Sequence, residues 1–98
     1  MYAFSGSMRA RPGRAGEIVT LLVDGAAALE KLGCRSYVVG VALDEPDLVC
    51  VHEVWDSKDA HDASLQDADV REAIARAMPM LTGHFETHDF DVIGGFGL

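Results

Sequence analysis

Basic residues are scarce: eight Lys and Arg stand against sixteen Asp and Glu, a net charge of −8. A surface of that sign repels a phosphate backbone, so nucleic acid is excluded as a partner. Only Arg9, Arg11 and Arg14 lie close together, and they read as a solvated loop. No apolar run approaches the ~18 residues that a bilayer span requires. The opening MYAFSGSMRARPG has neither the basic start nor the long apolar core of a signal peptide. A soluble, cytoplasmic protein without membrane contact is expected. Cysteine is limited to Cys34 and Cys50. The strand pairing proposed below sets them far out of register, so both are expected as reduced thiols, with Cys50 a small core residue. There is no internal repeat and no low-complexity segment.

What is present is a short chain rich in apolar residues, 98 in all and 49% hydrophobic. That suits one small domain over residues 1–98. A chain of this length buries a modest share of its surface, which favours a homo-oligomer that covers one sheet face. The most informative stretch is Val49 to Leu65, VCVHEVWDSKDAHDASL, which holds the single tryptophan and two of the four histidines. Side chains alternate along a strand, so Val49, Val51, Glu53 and Trp55 share one face and Cys50, His52 and Val54 the other. Neither face is purely polar, as in a strand covered on both sides. Asp56-Ser57 breaks the pattern, and Ser57 suits the cap of a helix running to Gln66.

The first strand spans Met1 to Arg9, with Tyr2, Phe4, Gly6 and Met8 on its apolar face. After Arg11-Pro12-Gly13, the spacing of Ile18, Leu22, Gly25, Leu29 and Leu32 predicts a helix with one buried stripe, stopped by a left-handed Gly33. Gly25 on that stripe costs about 1 kcal/mol against Ala, and close packing of another element is the expected compensation. Cys34 to Leu43 predicts a second strand, with Asp44 to Asp47 as the connection of a hairpin. If Leu43 opposes Leu48, then Tyr37, Val39, Val41, Cys50, His52 and Val54 form one face, and Ser36 lies opposite Trp55. Asp67 or Asp69 can cap a further helix bearing Val70, Ile74, Ala77, Met78 and Leu81, which Pro79 should kink or end. Thr82-Gly83 reads as a break and His84 to Ile93 as the last strand. The order βαββαβ predicts an α+β, ferredoxin-like antiparallel sheet with helices on one face and the other face left for a partner.

Pro12-Gly13, the Gly33–Tyr37 run GCRSY and, above all, EVWDSKDAH from Glu53 to His61 together resemble the antibiotic biosynthesis monooxygenase family. The resemblance covers nearly the whole chain. It implies a dimeric α/β barrel, in which two protomers pack the helix-free faces of their sheets, and a ligand pocket between sheet and helices. It further implies oxygenation of phenols, quinols or polycyclic aromatics without metal or flavin. Relatives bind and degrade haem. Members tend to pair the tryptophan with an asparagine, often with a histidine at the position of Ser64; this chain has no asparagine.

On that reading Trp55 is a pocket wall that stacks on an aromatic ligand, against the alternative of a core residue capping the sheet. Glu53 on the same face must hydrogen-bond, pair or protonate if buried, with a helix amide or Arg71 as the expected partner. His61, one helical turn past Ser57, is the candidate general base, against the alternative of an exposed helix histidine. Arg71 is a candidate for stabilising an oxyanion, and Ser36 for lining the pocket. His52 and Tyr37 are assigned to the barrel interior. His84, Glu86 and His88 suggest a metal by residue type, but two histidines four residues apart on a strand are roughly 13 Å apart, too far to share one ion. No metal or cofactor is expected. The small aromatic substrate and a second copy of the chain are the expected partners; a non-catalytic ligand-binding protein, a haem-binding relative or a purely structural role are the alternatives.

Overall fold

Alternation with period two and helical stripes translate into β1 (Tyr2–Ala10), α1 (Ala15–Ala26), β2 (Cys34–Ala42), β3 (Glu45–Trp55), α2 (Lys58–Ser64), α3 (Ala68–Ala77) and β4 (Leu81–Asp91). The computed structural model describes all 98 residues. Its four strands form one antiparallel sheet in the order β2-β3-β1-β4. This is the α+β, ferredoxin-like arrangement that the element order predicts, with the helices on one face.

The helix side of the sheet is built as the alternation requires. Tyr2, Phe4, Gly6 and Met8 of β1 pair with Trp55, Glu53, Val51 and Val49 of β3. Ile18 of α1 is fully buried against Val49, Ala10, Ala77 and Leu81. Side chains of this size each contribute about 1.5–3 kcal/mol when removed from water. A second cluster joins Tyr2, Cys34 and Trp55 at the end of the sheet where the chain enters α2. Both cysteines are free thiols.

The caps fall where the residue types place them. Ser57 accepts a hydrogen bond from the Ala60 amide at 3.0 Å, and Asp67 accepts from the amides of Asp69 and Val70. Gly33 takes φ 104° behind a 3-10 segment, Ala27–Leu32, that tightens the end of α1. A Cβ at Gly33 would also meet Ala60 at 3.1 Å, so the position is closed both by φ and by packing.

Three expectations are corrected. The β2–β3 hairpin is one residue out of the anticipated register: Tyr37 pairs with Glu53, Val38 with His52, Val39 with Val51 and Val41 with Val49. The chain turns at Leu43-Asp44, pairs Ala42 with Glu45, and then bulges before Val41 meets Val49. Pro46 lies in that bulge, where its missing N–H interrupts the ladder. A one-residue slip moves every side chain of a strand to the opposite face. Tyr37, Val39 and Val41 therefore face the helices, and Val38 replaces Val39 on the open face. Second, Thr82-Gly83 lies inside β4; two extra residues between Leu81 and Phe85 are absorbed as a bulge opposite Arg9, with Gly83 at φ 91°. The Thr82 hydroxyl donates to the Arg9 carbonyl there. Third, Gly25 packs closely against nothing: a Cβ built on it finds no atom within 4 Å.

The helix-free face carries Ser5, Ser7, Val38, Cys50, His52, Glu86, His88 and Phe90. Val38 and Phe90 remain 57% and 51% exposed, which leaves an apolar surface on a face otherwise lined by serine and histidine. Ser5 Oγ and His52 Nδ1 lie 2.7 Å apart across it. No helix is long and apolar enough to cross a membrane.

Candidate active-site cavity

Between the helix side of the sheet and the helices lies a cavity of about 410 Å³, within the range of small-molecule pockets. Each element supplies part of the wall: Phe4 from β1, Tyr37 from β2, Val51, Glu53 and Trp55 from β3, His61 and Ser64 from α2, Leu22 and Gly25 from α1, Val70 and Ala73 from α3. Eighteen of the 25 lining residues are hydrophobic, so its few polar groups determine how a ligand is oriented. A larger, more open groove of about 600 Å³ runs past Ala26, Glu30, Ser36 and Leu98. It holds the exposed Arg35–Asp56 ion pair but neither the tryptophan nor a histidine, so the cavity between sheet and helices is the candidate site.

Trp55 is 1% exposed, and its indole N–H donates to Glu53 Oε1 at 2.8 Å. The two side chains point the same way from positions two apart on β3, and the bond fixes both. Glu53 is 9% exposed. Burial pushes its carboxyl above the usual range, offset in part by the Trp55 hydrogen bond and by the nearby His61 and His52. No ion pair with any Lys or Arg forms at Glu53, and Arg71 is exposed on α3, outside the cavity lining. Val70 faces inward, and the next residue along a helix turns about 100° away.

His61 is 8% exposed, which rules out the surface alternative. Its ring lies 5.1 Å from that of Phe4 in a stacked arrangement, 5.2 Å from Tyr2 and 5.6 Å from Trp55, edge-on. His61 Nδ1 is 3.0 Å from Asp62 Oδ1. A carboxylate there accepts a hydrogen bond from Nδ1–H, the tautomer that leaves the lone pair on Nε2. Lys58 binds the other Asp62 oxygen at 2.8 Å, and first Lys58, then His61, hold the Asp62 carboxyl below the usual range. Tyr2, behind the imidazole, donates its hydroxyl to Asp89 at 3.0 Å; burial and Asp89 push its phenol up to about 12, so it stays neutral.

The structure thus brings together Trp55, Glu53 and His61, and it separates Ser36 and Arg71 from them. Ser36 pairs with Val54 and borders the outer groove, because the hairpin register differs from that anticipated. One residue was assigned to the wrong face, Tyr37, which was placed in the barrel interior, and one escaped the sequence reading, Asp62. Tyr37 enters the cavity through the same change of register, and Asp62 orients His61; adjacency of His and Asp in sequence was the available signal for the second.

The family model described as antibiotic biosynthesis monooxygenase matches residues 1–76. Among solved structures, a candidate antibiotic biosynthesis monooxygenase from Chloroflexus aurantiacus is 39% identical, with a TM-score of 0.88 over 98% of this chain and 96% of that one. A second candidate monooxygenase, from Deinococcus radiodurans, is 24% identical with a TM-score of 0.84 over 100% and 98% of the two chains. A third, from Caulobacter crescentus, is 21% identical with a TM-score of 0.85 over 95% and 90%. At these identities the last two speak for the fold alone. No curated protein matches the chain.

Proposed function

Because the chain belongs to the antibiotic biosynthesis monooxygenase family, we propose that it is a cofactor-independent monooxygenase that uses dioxygen on a phenolic, quinol or polycyclic aromatic substrate. The observation that carries this reading is His61: a buried imidazole in the wall of an apolar cavity, with Nδ1 tied to Asp62 and Nε2 without a protein partner.

Dioxygen reacts slowly with a neutral phenol and faster with its anion, which is electron-rich enough to pass an electron to oxygen. His61 Nε2 takes the phenolic proton, and Asp62 stabilises the imidazolium that results. Trp55 and Phe4 hold the ring by stacking, and the apolar walls keep water from competing. With a hydroquinone the overall change balances without an outside reductant: one oxygen atom of O₂ enters the ring, the other leaves as water, and the product is a hydroxyquinone. Arg71 has no part in this scheme, since it lies outside the cavity.

The working unit in this reading is a homodimer formed through the helix-free face. The exposed Val38 and Phe90 supply apolar surface for it, and the small size of the chain favours it. A binding protein without chemistry is the second reading, supported by the predominantly hydrophobic lining. Oxygen uptake against a panel of hydroquinones and anthrones, with no added cofactor, separates the two. Substrate-dependent uptake is expected. Quenching of Trp55 fluorescence by these compounds with no uptake would instead establish the binding protein.

A further inference from the structure

Two polar groups of the cavity have no role in the scheme above and no partner for part of their hydrogen-bonding capacity. Glu53 uses Oε1 to accept from Trp55, and its second oxygen bonds to no protein group. Tyr37 is the cross-strand neighbour of Glu53 on the same face, and its hydroxyl forms no hydrogen bond within the protein. Both line a cavity whose walls are otherwise largely hydrocarbon, and Tyr37 stands where that cavity and the outer groove adjoin. Burial pushes both groups toward their protonated forms, and a charge on Glu53 disfavours one on Tyr37. Glu53 thus offers its second oxygen, and Tyr37 its hydroxyl, to whatever occupies the cavity. Polar atoms that face an apolar cavity without a protein partner are the groups a ligand can satisfy.

We infer that Tyr37 and the free oxygen of Glu53 form a two-donor seat for an acceptor oxygen of the ligand, the carbonyl of an aromatic ketone or quinone or the phenolate oxygen that precedes it. This deepens the proposed function by naming the end of the substrate that is held, and it rests on the same cavity being the site. The seat supplies the oxyanion stabilisation for which Arg71 is too distant. It also sets a direction: with the oxygen at Glu53 and Tyr37, the hydrocarbon body extends toward α1. There Gly25 lines the cavity and leaves space that any side chain would occupy. The titratable groups that act on the seat are His61 from α2, His52 from β3 and Cys34 from β2, and Lys31, Asp67 and Asp69 line the same cavity.

The test compares 1-tetralone with tetralin, the same hydrocarbon without its carbonyl, by quenching of Trp55, which is the only tryptophan. Without the donors the ketone binds more weakly than the hydrocarbon, because its carbonyl loses hydrogen bonds to water. With them it binds more tightly, and its infrared carbonyl stretch moves to lower frequency. Tyr37→Phe keeps the ring and is expected to weaken tetralone binding by ~2- to 12-fold, the range of one hydrogen bond, while tetralin is unaffected. In wild type the ketone preference falls as pH rises and Glu53 ionises; Glu53→Gln retains an N–H donor and is expected to hold the preference constant with pH. Equal affinity for the two probes, a ketone preference that Tyr37→Phe leaves intact, or a pH dependence that persists in Glu53→Gln overturns the inference. None of these readouts uses oxygen. The seat therefore stands if the ketone is preferred while uptake is absent, and it falls alone if uptake occurs without ketone preference.

Discussion

Glu53 occupies a position where a carboxylate is costly, and this gives the protein a pH dependence with a definite sign. Its folded pKa is raised above the ordinary value of 4.5 by burial. The folded state then holds the proton more tightly than the unfolded one, so the stability from this residue is complete below the unfolded pKa. It is lost as pH rises through the folded pKa. Asp62 acts oppositely: its pKa is lowered, and its contribution is lost as pH falls through the folded value. Glu53→Gln isolates the first effect, because the amide oxygen can still accept from Trp55 while Asp62 is unchanged. Urea unfolding is expected to show the variant similar to wild type near pH 4 and more stable at pH 8. A difference independent of pH would mean that Glu53 ionises in the folded protein as it does in water.

At the scale of elements, two glycines make opposite predictions. Gly25 lies in α1 with open space around its missing side chain, so Gly25→Ala should stabilise by about 0.5–1 kcal/mol through helix propensity. Gly33 caps the following 3-10 segment at φ 104° with Ala60 in the way of a Cβ, so Gly33→Ala should destabilise by about 1 kcal/mol or more. Thermal unfolding of both variants measures the contrast, and a Gly25→Ala variant less stable than wild type would show that the gap beside α1 is filled in solution. These elements were legible in the sequence because period and caps are local: Ser57, Asp67 and Gly33 mark helix ends by chemistry that needs no distant partner. Trp55, Glu53 and His61 were legible for the same reason, lying within nine residues on one strand and the first turns of one helix. The register of the hairpin was not. It depends on how a two-residue turn and a bulge at Pro46 divide the slack between strands, and that choice alone moved Tyr37 into the cavity and Ser36 out of it.

For the whole molecule the same register decides which valine stands on the open face of the sheet. Val38 stands on the open face and Val39 packs toward the core, where a charge would be buried without a counter-ion. In sedimentation at micromolar concentration, wild type is expected as a dimer. Val38→Asp should remain folded and become monomeric, whereas Val39→Asp should lose stability itself. A monomeric wild type of undiminished stability would contradict the dimer. The central claim is that His61, oriented by Asp62 in the cavity beside Trp55, removes the substrate proton that makes reaction with dioxygen possible. Its most direct test is oxygen uptake by wild type and His61→Ala across a pH range spanning the ionisation of the phenolic substrate. The account predicts a loss of ~10²–10⁴-fold at neutral pH that narrows at high pH, where the phenol ionises unaided; an unchanged rate with an unchanged pH profile would contradict it.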